Sequence, residues 1–163
     1  MTTKLEVAAY GVHWNGHLGR LGKVIAEEEA RKRHERGELY SVVLGDPEQP
    51  FAIVEVRLEV PFVGLRFLDE QRRTNLDYSF GHYDGGPENV LFLRQAIERR
   101  FAPDGEVVWS ALHLFDPAGF VEVEEKDYGT GDATRYKVEH DVSGNWERIP
   151  AFGDYDSIAR LER

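Results

Sequence analysis

The chain has no cysteine and a single methionine among its 163 residues. Without cysteine there is no disulfide scaffold, no thiolate-ligated zinc, no iron–sulfur cluster and no thiol nucleophile. Positive charge is also scarce: 20 Lys and Arg stand against 30 Asp and Glu, a formal net charge of −10. A surface of that sign is repelled by phosphate backbones and anionic bilayers, which excludes a generic nucleic-acid or membrane-surface binder. No run approaches the ~20 apolar residues that a bilayer-crossing helix needs. The opening Met1-Thr2-Thr3-Lys4-Leu5-Glu6 lacks the apolar stretch and small-residue cleavage pattern of a secretory signal, so a cytoplasmic protein is expected.

What is present suits one core. Hydrophobic residues make up 41% and aromatics 12% of the chain, and a chain of this length buries roughly 70% of its unfolded surface. No low-complexity linker or composition shift divides residues 1–163, so a single domain is expected.

Lys4 to Trp14 alternates loosely and predicts a first strand. Leu18, Leu21 and Val24/Ile25 then recur at helical spacing, with Gly37 as the stop, and predict an N-terminal helix. Its second half sets Glu27, Glu28 and Glu29 four residues ahead of Arg31, Lys32 and Arg33, the favourable order for i,i+4 pairs. Tyr40–Leu44 predicts a strand. Ala52, Val54, Val56, Leu58 and Val60 then alternate with Ile53, Glu55, Arg57 and Glu59 in a period of two. Val63–Phe67 and Leu76–Phe80 predict a hairpin across Asp69-Glu70-Gln71-Arg72. Leu93, Ala96/Ile97 and Phe101 fit a short second helix closed by Pro103-Asp104-Gly105. Val107–Phe115 predicts a central strand, and Phe120–Lys126 with Arg135–Val142 a further pair. The tail from Ser143 reads as irregular and then helical, with Trp146, Ile149, Phe152, Tyr155 and Ile158 as packing residues. These elements predict an α+β fold: a curved, mainly antiparallel sheet of about seven strands, with one N-terminal helix and one shorter helix packed on it.

Few constellations carry chemistry. Gly16-His17-Leu18-Gly19-Arg20-Leu21-Gly22-Lys23 follows a strand and opens the expected helix, a context in which Gly19, Arg20, Gly22 and Lys23 would face an anion. The Walker spacing fails, because His17 stands where its first glycine belongs and Val24 follows Lys23. The alternative is close helix packing through Gly19 and Gly22. His13 and His17 are four apart, but Asn15-Gly16 breaks any helix between them, so no metal site is expected. His113 shares a strand face with Trp109 and Phe115, and His140 one with Tyr136 and Val138. Two such imidazoles either line a sheet-walled pocket as acid/base groups, with Tyr78 or Tyr83 joining them, or sit as hydrogen-bonded core residues. Glu122/Glu124 and Glu55/Glu59 occupy polar strand faces, and Arg57 between the latter pair points to a solvated charge ladder. Asp154-Tyr155-Asp156-Ser157 lacks the glycine and distal glutamate of a calcium loop, and no serine has a nucleophile-elbow context.

Two functional classes follow, and neither needs a cofactor. The first is a non-catalytic cytoplasmic module that docks on a basic protein partner, as an acidic inhibitor or immunity-type protein does. Its binding residues would be Trp109, Tyr136, Tyr83, Trp146, Glu122, Glu124 and Asp154. The second is a small enzyme or small-molecule-binding protein whose pocket uses His113 or His140, with Tyr78 as a further candidate.

Overall fold

The computed structural model describes residues 3–163, so Met1 and Thr2 of the N-terminal reading lie outside it. The described residues form thirteen strands, one α-helix and one 3-10 turn. Four short N-terminal strands, β1 (Val7–Gly11), β2 (Trp14–Asn15), β3 (Arg20–Leu21) and β4 (Val24–Ile25), precede α1 (Glu27–Arg36). A meander follows: β5 (Tyr40–Gly45), β6 (Pro50–Arg57), β7 (Phe62–Leu68), β8 (Thr74–Gly81), β9 (Val90–Phe101), β10 (Val107–Asp116), β11 (Phe120–Asp127) and β12 (Ala133–Glu139). β13 (Trp146–Arg148) closes the order. All ladders are antiparallel, in the order β12-β11-β10-β9-β8-β7-β6-β5-β1-β4, with β13 added against β9.

This overturns the expected α+β arrangement of about seven strands and two helices. The protein is mostly antiparallel sheet with one helix among the described residues. The segment expected as a second helix is β9, which pairs with both β8 and β10. Phe80 faces Leu93 but Tyr78 faces Ala96, so β9 carries one extra residue at this point. Such a bulge resets the alternation. Leu91, Leu93 and Ala96 therefore reach one face at intervals of two and three, which imitates a helical period.

The N-terminal helix is also shorter than expected. Residues 14–21 form the β2–β3 hairpin, with Trp14 opposite Leu21, and Gly19 adopts φ +62° in its turn. Leu18 and Val24, two of the residues that suggested helical periodicity, are exposed instead. Asn15 accepts a hydrogen bond from the Leu18 N–H within the turn (3.0 Å). From Glu27 onward the expectation holds. Glu27–Arg31, Glu28–Lys32 and Glu29–Arg33 pair at 3.8, 3.4 and 3.3 Å. Gly37 ends the helix at φ +74°, its N–H and that of Glu38 donating to the His34 and Arg33 carbonyls.

The core lies on one face of the sheet. Val42, Val54, Leu65, Tyr78 and Ala96 run across β5–β9 in register and are buried beneath α1 and the C-terminal segment. The tail is irregular rather than helical, but Tyr155, Ile158 and Ala159 are buried in this core, with Ile149 and Phe152 packed against it. The opposite face has a smaller cluster, Trp14, Val43 and Ile53, roofed by the β2–β3 hairpin. No helix among the described residues is long and apolar enough to cross a membrane.

A chain of hydroxyls ties helix to tail inside the main core. The Tyr40 hydroxyl lies 2.8 Å from His34 Nδ1 and 3.0 Å from the Tyr155 hydroxyl. Burial pushes both phenols up, which keeps them neutral. Burial also lowers the His34 pKa, with Arg31 adding to the shift and Glu35 opposing it. The unfolded chain therefore binds a proton at this position more readily than the folded one. Stability is expected to fall as pH drops from about 6.5, the ordinary histidine value, through the lower folded value. Melting temperatures between about pH 7.5 and 5 measure this, and His34→Gln should flatten the slope over that interval.

Candidate functional site

Alternation places Glu55, Arg66, Asp77 and Arg99 on the face opposite the main core, on the four adjacent strands β6 to β9. Arg66 lies directly across from Asp77, and Arg99 is two residues along β9 from Ile97, the direct partner of Asp77. Arg66 Nη2 stands 3.3 Å from Glu55 Oε1, and Arg99 Nη1 is 2.5 Å from Asp77 Oδ2. Acid and base thus alternate across the sheet: Glu55, Arg66, Asp77, Arg99. The Glu55 side chain is only 16% exposed. Its burial holds the carboxyl above the usual range, while Arg66 and His13 pull it down and Asp77 pushes it up. It is not part of the solvated ladder with Glu59 that the sequence suggested.

Arg66, Asp77 and Arg99 line a cavity of about 560 Å³. The β2–β3 turn forms its roof, and an added Cβ on Gly16 would come within 3.1 Å of Arg66 Nη1. The turn between β7 and β8 supplies two more guanidinium groups. Asp69 organises that turn, accepting from the Gln71 and Arg73 N–H groups at 2.9 Å each and pairing with Arg73 Nε at 2.8 Å. Arg72, at φ +63°, reaches across to the Gly19 carbonyl (2.9 and 3.2 Å) and to those of Pro47 and Glu48 (3.1 and 2.6 Å). Arg73 also donates to the Ala102 carbonyl and lies 4.7 Å from the Phe101 ring centre.

The four arginines therefore divide into two pairs. Arg72 and Arg73 spend their donors on building the wall. The Arg66 side chain has an ion pair with Glu55 but no side-chain hydrogen bond among the described residues, and Arg99 uses Nη1 alone, so both keep N–H groups free. A guanidinium with free donors in a concave, partly desolvated site binds carboxylate or phosphate oxygens through charge-assisted hydrogen bonds. Asp77 is the one carboxylate on the lining against these four guanidinium groups.

No family model, curated protein or solved structure matches this chain.

Of the candidates named from the sequence, some converge and others do not. His113 stacks near Phe115 at 6.3 Å, and Phe115 lies 5.5 Å from His140, so one phenyl ring separates the two imidazoles. His113 Nε2 is buried without a partner, whereas His140 is exposed. Tyr136 stands one strand beyond, opposite Val123, and Trp109 lies under Arg100 at 4.2 Å on the same face. Tyr78 does not join them, since its hydroxyl donates to the Leu161 carbonyl inside the main core. Tyr83 and Trp146 flank Phe92 at 6.0 and 4.8 Å, and Trp146 shares a shallow hollow with Asp154. Glu122 and Glu124 share Arg135, at 3.7 and 2.5 Å. Gly19 reaches the rim of the arginine cavity, while Arg20, Gly22 and Lys23 are exposed and do not line it. Among the described residues no three His, Asp or Glu side chains converge as a metal site.

Sequence reasoning missed Arg66 and Arg99. For Arg66 the available signal was alternation, since it is the one charged residue of β7 and falls out of phase with Val63, Leu65 and Phe67; β9 also carries Arg94, Glu98 and Arg100, so nothing local singles out Arg99.

Proposed function

We propose that this is a cytoplasmic, non-catalytic binding protein for a small organic anion, seated in the cavity between the β2–β3 turn and strands β7–β9. The observation that carries the reading is the reversal of charge. In a chain of net charge −10, four guanidinium groups and one carboxylate line a single concave site. A volume of about 560 Å³ falls within the range of small-molecule pockets. Arg66 and Arg99 contact the ligand; Arg72 and Arg73 hold the turn that shapes the wall.

Calorimetric titration with small carboxylates and phosphate esters tests the reading. Arg99→Met is expected to weaken binding by about ten- to a hundredfold, the equivalent of one lost charge-assisted contact. Arg135→Met, on the exposed β12, should leave it unchanged. Equal affinity in wild type and Arg99→Met, with both proteins folded, would remove the cavity as the binding site.

A second reading, the acidic module for a basic partner, has one supporting observation. Every residue of β12 is exposed, and acids outnumber bases seven to three over residues 120–141. Native mass spectrometry of the freshly purified protein separates the readings, since it registers either a retained small molecule or a copurifying basic protein.

A further inference from the structure

Apart from the Arg72 and Arg73 wall, the ionised groups that strands β6–β9 bring to the cavity floor balance one another before any ligand arrives. Arg66 and Arg99 contribute two positive charges, Glu55 and Asp77 two negative ones. The two acids differ in how firmly they are held. Asp77 forms a 2.5 Å hydrogen-bonded pair with Arg99. Glu55, behind Arg66, stands at 3.3 Å without a hydrogen bond to it. The groups facing Glu55 are Arg66 from β7, Asp77 from β8 and His13 from the segment entering the hairpin. From β5 its direct cross-strand neighbour is Ser41, which is wholly buried and whose Oγ has no partner.

A ligand carboxylate that takes the free donors of Arg66 brings one more negative charge to this group. With Glu55 still ionised, two carboxylates would compete for one partly enclosed guanidinium, an arrangement that favours protonation of one of them. Glu55 is the one predisposed to accept the proton, because burial already disfavours its charged form. As a neutral acid it also acquires an O–H donor, and the unpartnered Ser41 oxygen lies across the ladder from it.

Resting on the reading above, we infer that the ligand is a monocarboxylate with an apolar body, and that its binding carries one proton from solvent onto Glu55 as the ligand replaces Glu55 as counter-ion of Arg66. Charge then balances, with one anion and one proton entering together. A dianion such as a phosphate monoester would bring a second negative charge beside Asp77 with few further donors to take it, because Arg72 spends its N–H groups on the Gly19, Pro47 and Glu48 carbonyls and Arg73 is paired with Asp69. The apolar body is matched by Phe101, Val107 and Leu18, the three apolar side chains on the lining. Because the complex holds one proton more than the free protein, affinity rises as pH falls. The slope approaches tenfold per pH unit between the pH values at which Glu55 titrates in the free and loaded forms.

Benzoate and phenyl phosphate serve as probes, titrated into the full chain between about pH 5.5 and 8 in buffers of different ionisation enthalpy. The expected result is benzoate binding with uptake of close to one proton, benzoate preferred over phenyl phosphate, and loss of both uptake and pH slope in Glu55→Gln. Benzoate binding without proton uptake in the wild type, or phenyl phosphate binding equally well, overturns this inference and leaves the cavity as a general anion site. Retention of the slope in Glu55→Gln overturns it in the same way. Failure of both probes and of every other small anion, in protein that melts cooperatively, overturns the cavity reading itself. The proton count needs only wild-type protein, so the test survives if Glu55→Gln does not fold.

Discussion

Glu147→Ala is expected to destabilise the protein by about 3–5 kcal/mol, the range for breaking a buried ion pair by removing one partner. Glu147, on β13, is 7% exposed, and its carboxylate gathers three groups of the C-terminal segment. Arg163 donates from Nη1 at 2.7 Å, Arg160 from Nη2 at 3.2 Å, and the Ser157 hydroxyl donates to the other oxygen. The Arg163 side chain is itself only 5% exposed and lies 4.8 Å from the centre of the Phe80 ring. Alanine would leave that guanidinium buried without a carboxylate, and this orphaned charge makes the loss large. Glu147→Gln, which keeps an acceptor in place, should lose less. Equilibrium unfolding in urea measures both, and a loss under about 1 kcal/mol for the alanine variant would show that the clamp does not hold the tail.

Tyr155→Ala is expected to cost a comparable amount, about 3–5 kcal/mol, through loss of a large aromatic and the cavity it leaves. Tyr155 is 1% exposed and packs in the main core beside Tyr40. Tyr155→Phe isolates the hydroxyl. Tyr40 would keep His34 as its partner at 2.8 Å, so the expected loss is only about 0.5–1.5 kcal/mol, one net hydrogen bond. If the phenylalanine variant lost as much as the alanine one, the hydroxyl chain rather than packing would fasten the tail. Thermal unfolding of the two variants side by side distinguishes these outcomes.

Much of the strand content is legible from alternation. Ala52, Val54 and Val56 point to the core as their period requires, and the hairpins around Asp69 and Asp116 fall where their turn residues put them. The errors have local causes. The extra residue in β9 spaces Leu93 and Ala96 as a helix would. The glycines around Leu18 and Leu21 make a hairpin turn, a conformation that apolar spacing alone does not distinguish from a helix. The cavity was harder to read, because Arg66 and Arg99 lie 33 residues apart and meet only through the register of three strands. Glu55 was misread for the same reason: its partner is Arg66 on the next strand, not Arg57 two residues away. The pairing of Glu27–Glu29 with Arg31–Arg33 was visible because helical neighbours are close in sequence.

The meander and its late-arriving cover have a consequence for synthesis. From β6 to β12 each strand pairs with the one just made, so a nascent chain can extend the sheet as it leaves the ribosome. The segment that covers the apolar side, including Tyr155 and Ile158, comes last. Until it emerges, the part of the apolar face that α1 leaves uncovered, including Phe80 beneath Arg163, is open to water, and the nascent chain presents an apolar surface of the kind that chaperones bind.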